Sequence, residues 1–117
     1  LTNVTGAMDV ARDMEIFGAV FPIMTFRTAE EALALVNNCP YGLNSAVFSR
    51  DMAKAISFAE RVQAGSVIVN GGSNYRTATM PFGGYKKSGV GREGSSHTLL
   101  EFTQEKSYVL RNVLGNL

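Results

Sequence analysis

Ser45-Ala46-Val47-Phe48-Ser49, then Asp51 to Val62, then Ser66-Val67-Ile68-Val69-Asn70 is the stretch whose reading decides the fold. Residues 45–49 read as a short strand. Arg50 and Asp51 lead into a helix, with Asp51 as N-cap and Ala55, Phe58, Ala59 and Val62 recurring at helical spacing as its apolar face. Gly65 is expected to close that helix. Residues 66–70 form a β-branched run without alternation, the pattern of a strand covered on both faces. A strand, a helix and a second strand in succession predict a crossover between parallel neighbours in one sheet. The fold class is therefore α/β, built as an open layer.

Working outward, Thr28 followed by Glu30 and Glu31 opens an earlier helix. Thr28 is the expected N-cap and Glu31 completes a capping box, with acidic side chains near the positive helix end. Ala29, Ala32, Leu33 and Val36 make its buried stripe, and Asn37-Asn38 before Pro40 should end it, because a residue preceding proline avoids the helical region. Upstream, Val20-Phe21-Pro22-Ile23-Met24 reads as an apolar strand. Downstream, residues 71–91 carry no period and are long for a loop, which favours a functional role or disorder. Residues 93–100 can form a helix. Residues 103–111 alternate enough for a terminal strand, polar on one side and suited to an exposed edge.

The 117 residues fit one small domain, and 45% apolar with 18% charged side chains is ordinary globular composition. Eleven basic against ten acidic groups leave a net charge of +1, so the chain shows no electrostatic footprint for nucleic acid or an anionic membrane. No apolar run reaches the roughly 20 residues a membrane span needs. With no signal-peptide pattern at its start, the expected compartment is the cytoplasm. One cysteine excludes an internal disulfide, and one cysteine with one histidine supplies no metal-ligand set. The opening Leu1-Thr2-Asn3-Val4 reads as mid-strand, so the chain is expected to be a piece of a larger domain, with apolar faces meant for neighbours.

Chemistry concentrates in Pro81-Phe82-Gly83-Gly84-Tyr85-Lys86-Lys87-Ser88-Gly89-Val90-Gly91-Arg92-Glu93. Glycine lets other backbones approach closely, so such a cluster marks a loop shaped around something. Gly89 to Gly94 matches the spacing G-x-G-x-x-G, yet Tyr85-Lys86-Lys87-Ser88 is not the buried strand that a dinucleotide site requires before it. The Walker pattern fails as well, since Lys86 and not glycine precedes Lys87-Ser88. Cys39 sits at a predicted helix end with no base to activate it, and reads as a packed small hydrophobe rather than a nucleophile.

Three motifs in order, Glu15-Ile16-Phe17-Gly18, Asn38-Cys39-Pro40-Tyr41-Gly42-Leu43 and the glycine-lysine tract, resemble the C-terminal end of the aldehyde dehydrogenase superfamily. The resemblance covers nearly the whole chain. It implies a partial open parallel α/β/α sheet of that family's catalytic domain over residues 1–102, and a terminal oligomerisation strand and tail over 103–117, hence a homo-oligomer, dimer or tetramer. It also implies oxidation of a small-molecule aldehyde to an acid with NAD or NADP, through a thiohemiacetal on a cysteine that lies upstream of the first motif. No catalytic or metal-binding residue is then expected in this chain.

By the same resemblance Glu15 accepts hydrogen bonds from the nicotinamide ribose hydroxyls and Phe17 packs near the nicotinamide ring. Phe82 lines the substrate tunnel, and the segment containing Tyr75 and Arg76 shapes its mouth. Arg76 suits an acidic group on the substrate, with a structurally paired arginine as the plain alternative. Ala19 stands where the family usually has proline. Two rivals stand beside this reading: a non-catalytic module that pairs through its edge strand, and an acylating or phosphate-releasing member of the same fold.

Overall fold

A computed structural model describes residues 1–11 and 14–112. Two helices and two parallel strands form its centre. Helix α1 spans Ala29–Asn37 and starts as its sequence demands, the Thr28 side chain accepting the Glu31 N–H at 3.1 Å. The reciprocal arm of the capping box reaches past the cap, the Glu31 carboxylate accepting the Arg27 N–H at 2.8 Å. Two short strands follow, β1 at Tyr41–Gly42 and β2 at Asn44–Val47. Helix α2, Met52–Arg61, is capped by Asp51, which accepts the Lys54 N–H at 3.1 Å. Strand β3, Ser66–Val69, lies parallel to β2 with Asn44 opposite Ser66 and Val47 opposite Val69.

The strand-helix-strand expectation therefore holds, with β2 beginning one residue early and ending two early, and β3 ending one residue early. Helix α2 stops at Arg61 and is not closed by Gly65, because the Val62 backbone is already extended at ψ 127°. Gly65 serves a different purpose. A Cβ there would overlap the Gly83 carbonyl, and the Gly65 N–H donates to the carbonyls of Gly42 and Leu43, both at 3.0 Å. Strand β3 is half-buried along its length instead of covered on both faces, since these residues place a helix layer on only part of it.

The supposed loop 71–91 contains β4, Tyr85–Lys86, which pairs antiparallel with β1 in the register Tyr41 to Lys86. Helix α3, Ser95–Glu101, follows Gly94 at φ 136°. Three further expectations change. Residues 20–24 form no regular strand, although Leu1 and Val4 hydrogen-bond alongside them: the Ile23 N–H donates to the Leu1 carbonyl at 2.8 Å and its carbonyl accepts from Val4 at 3.2 Å. Residues 104–112 enter no ladder among the described residues, because a strand exists only against a paired neighbour and none runs beside this segment. Residues 113–117, the end of the expected oligomerisation tail, lie outside the described residues. Finally, Cys39 is half-buried rather than packed away.

The buried core is small, consisting of Val4, Ala32, Leu33, Ala55 and Val62. The radius of gyration is 21.2 Å, against about 13 Å for a compact domain of this length. The C-terminal end of α2 is tied to both ends of α1, by a bidentate ion pair from Arg61 to Glu30 in the first turn and by Asn37 at the last residue, which donates to the Arg61 carbonyl and accepts from the Gln63 N–H. No helix among the described residues is long and apolar enough to cross a membrane.

Candidate functional site

The glycine-lysine tract folds into a loop whose polar side chains are turned onto the protein itself. Lys86 adopts φ 54°, a left-handed conformation unusual for lysine. That geometry delivers its Nζ to the carbonyls of Asn37 and Cys39, each at 2.8 Å. Asn37 is the last residue of α1, so an ammonium here satisfies orphan carbonyls at the negative end of the helix. Ser88 Oγ accepts the Gly42 N–H at 3.0 Å, and Arg92 Nη1 donates to the carbonyls of Gly84 and Gly91, both at 2.9 Å. Gly84 admits Ser88 against its α-carbon, where a side chain would collide with the serine. The tract thus stitches α1, β1 and itself together. Lys86 and Ser88 in it are engaged by protein, and the Lys87 N–H donates to the Pro40 carbonyl at 2.9 Å.

The loop ends in a two-residue bridge. Phe82 N–H donates to the Glu93 carbonyl at 2.8 Å and Glu93 N–H to the Phe82 carbonyl at 2.6 Å. Arg76 joins this pair: Nη2 lies 3.1 Å from Glu93 Oε2, and the guanidinium carbon stands 3.9 Å over the centre of the Phe82 ring. Of the sequence candidates for the substrate tunnel, Arg76 and Phe82 are therefore brought together. Tyr75 is exposed, with its N–H closing a turn onto the Gly72 carbonyl.

Glu15 and Phe17 belong to the extended segment ahead of α1, which turns twice through short-range bonds from Gly18 N–H to the Ile16 carbonyl and from Val20 N–H to the Gly18 carbonyl. Glu15 lines a cleft of about 500 Å³ together with Met14, Cys39, Gly42, Gln63 and Ser88. Phe17 projects outward, 93% exposed. Neither Arg76 nor Phe82 lines the Glu15 cleft, so the two halves of the expected site sit apart, joined through the braced loop by Ser88 at one end and the 82–93 bridge at the other. No cluster of three His, Cys, Asp or Glu side chains capable of holding a metal occurs among the described residues.

Sequence reasoning missed two participants. Glu93 was legible only as the last letter of the glycine tract, and its pairing with Arg76 spans a 17-residue separation that no local rule reaches. Lys86 as a helix C-terminal partner was hidden for the same reason, since it meets α1 from 49 residues away.

Comparison with known proteins identifies the family of this fold. The model of the aldehyde dehydrogenase family matches residues 1–108. A lactaldehyde dehydrogenase of Methanococcus maripaludis is 39% identical over 105 residues, 90% of this chain and 23% of that protein. Aldehyde dehydrogenase 1A1 of Gallus gallus is 46% identical over 110 residues, 94% of this chain and 21% of its own length. The solved indole-3-acetaldehyde dehydrogenase AldA of P. syringae, a complex with NAD+, superposes with a TM-score of 0.82 at 44% identity, over 91% of this chain and 21% of that one. The chain thus spans between a fifth and a quarter of the length of these proteins. With the match running through the Glu15 segment, both helices, the parallel pair and the braced loop, the chain belongs to the aldehyde dehydrogenase family.

Proposed function

We propose that the protein carrying this chain oxidises an aldehyde to a carboxylic acid with NAD+ or NADP+, and that this chain supplies a cofactor-ribose clamp and one wall of the substrate tunnel. The observation that carries the reading is the exposed Glu15 carboxylate at the edge of a cleft, with no donor among the described residues directed at it. An ionised carboxylate only accepts hydrogen bonds, which is the partner that a vicinal diol requires. The residues present therefore fit the nicotinamide ribose, with Glu15 holding the hydroxyls and the bare Phe17 ring offering an apolar surface beside them. The bound cofactor would supply the hydride acceptor. The loop 81–94 fixes the cleft floor at Gly42 and Ser88 while presenting Phe82 on its other side.

The nucleophile belongs to a segment other than this one: Cys39 offers its carbonyl to Lys86 at the α1 end, and the single histidine, His97, is exposed on α3 and does not line the Cys39 cleft. The same reading places the segment 103–117 in contact with a second copy, and the enzyme in the cytoplasm as a dimer or tetramer.

Glu15→Gln in the full-length enzyme tests the clamp. A neutral amide replaces the charged acceptor at nearly constant shape, and losing charge assistance of about 1–2 kcal/mol corresponds to roughly tenfold in cofactor KM or turnover. Steady-state kinetics with the cofactor varied should show that change. Unaltered cofactor KM and kcat would remove Glu15 from the site.

A further inference from the structure

Arg76, Phe82 and Glu93 form a closed circuit. The backbones of Phe82 and Glu93 exchange two hydrogen bonds, at 2.8 and 2.6 Å. From outside that bridge, Arg76 sets the edge of its guanidinium on the Glu93 carboxylate at 3.1 Å and its flat face over the Phe82 ring at 3.9 Å. One N–H of the guanidinium's donor fork, at Nη2, and its π-face are thus directed at groups of this chain. The Phe82 ring is held on one side by a planar cation and at its root by a two-bond bridge, which leaves its first torsion little freedom.

We infer that Arg76 is a positioning residue for the Phe82 ring, with its charge matched internally by Glu93, and is not the receptor for an anionic group on the substrate. The inference rests on the proposed reading of Phe82 as tunnel wall, and it deepens that reading: this wall selects the aldehyde by shape through the angle of one aromatic ring. A free arginine at the mouth would favour acidic aldehydes. An arginine already facing a carboxylate presents a nearly neutral pair, so an acidic substrate that reaches its remaining N–H groups is opposed by the charge of Glu93.

The test uses the full-length enzyme, the variants Arg76→Ala, Phe82→Ala and their double, and paired aldehydes of matched size: butanal with succinic semialdehyde, and benzaldehyde with its para-carboxylate. Arg76→Ala should lower kcat/KM for both members of each pair by roughly two- to fivefold, the scale of one exposed cation–π contact. The ratio of acidic to neutral kcat/KM should stay within about twofold, and in the Phe82→Ala background Arg76→Ala should have no further effect. A merely structural arginine would act independently of Phe82. A selective fall for the acidic member of about tenfold or more, the scale of a lost hydrogen bond to a charged group, overturns the inference. So does full additivity of the two single substitutions.

A second readout needs no turnover. This chain has no tryptophan, so Phe82→Trp introduces an indole at the site, read as a difference spectrum against the parent enzyme. Adding Arg76→Ala should lower its fluorescence anisotropy and increase its quenching by acrylamide. An unchanged indole overturns the positioning role even if no aldehyde is oxidised, and absence of oxidation by the wild-type enzyme would separately refute the dehydrogenase reading.

Discussion

Residues 28–94 and the two segments that flank them, 14–27 and 103–112, obey different physics. In the first region almost every polar side chain of the motifs meets backbone of the same region: Thr28 and Asp51 cap helices, Lys86 ends α1, Ser88 holds β1, and Arg92 closes the glycine loop. The flanks present Phe17, Phe21, Phe26, Tyr108, Val109 and Leu110 to solvent, and residues 104–112 share no backbone hydrogen bond with the described residues. Apolar surface of that extent on an elongated chain is surface shaped to be covered. A region that satisfies its own donors and acceptors can be read as a unit, whereas one that leaves them open acquires structure from whatever lies beside it.

The largest effect that could break this contrast is activity in the 117-residue chain alone. Complete absence of NADH production is expected across aliphatic and aromatic aldehydes, because the roles proposed for Glu15 and Phe82 are binding ones and no histidine among the described residues stands in the cleft beside Cys39. Turnover that vanishes in Cys39→Ser would overturn the division of labour. The same purified chain should self-associate through the uncovered flanks, as read by light scattering. A clean monomer at high concentration would mean that the flanks are satisfied internally, and would favour the free-standing module.

A pair of glycine substitutions sharpens the comparison at the level of stability. Gly65→Ala drives a methyl group into the Gly83 carbonyl, a backbone atom that cannot move without opening the braced loop. It should destabilise the full-length protein by about 3 kcal/mol, the upper end of ordinary overpacking. Gly18→Ala, with nothing within 4 Å of the added atom, should stay within about 0.5 kcal/mol. Urea denaturation of the two variants against wild type measures both, and similar losses would erase the distinction between region and flank.

The smallest effect is electrostatic. The Arg61 guanidinium holds the Glu30 carboxyl below its ordinary value of 4.5, and the Lys54 backbone N–H holds Asp51 below 3.8. Both are acids with lowered folded-state values, so what they contribute is present above the unfolded values and is lost as pH falls through the folded ones. Glu30 and Asp51 are solvent-exposed, which keeps the contribution slight. Melting curves should therefore decline gently as pH drops below 4.5, and less so in Glu30→Gln. An identical acid profile in the variant would show that the tie between the ends of α1 and α2 adds nothing measurable.

How much of this was legible in advance divides along the same line. The α/β class, the parallel pair, both principal helices and both N-caps were legible, because apolar spacing and capping act over three or four residues. The boundaries at Val62 and Gly65 were not, since Gly65 is required by the carbonyl of Gly83 rather than by the helix it follows. The extended readings of residues 20–24 and 103–111 found no ladder for a further reason: alternation or apolarity names a segment that can pair, and only a neighbour makes it a strand. The roles within the glycine tract were the least legible part. Composition marked 81–93 as a glycine-rich loop, and only the family resemblance singled out Arg76 as a group that could meet a carboxylate. Only the tertiary structure decided that the carboxylate is Glu93, that Phe82 lies beneath the guanidinium, and that Lys86 ends a helix 49 residues away, because contacts between distant segments depend on how the chain closes, and no local spacing encodes that.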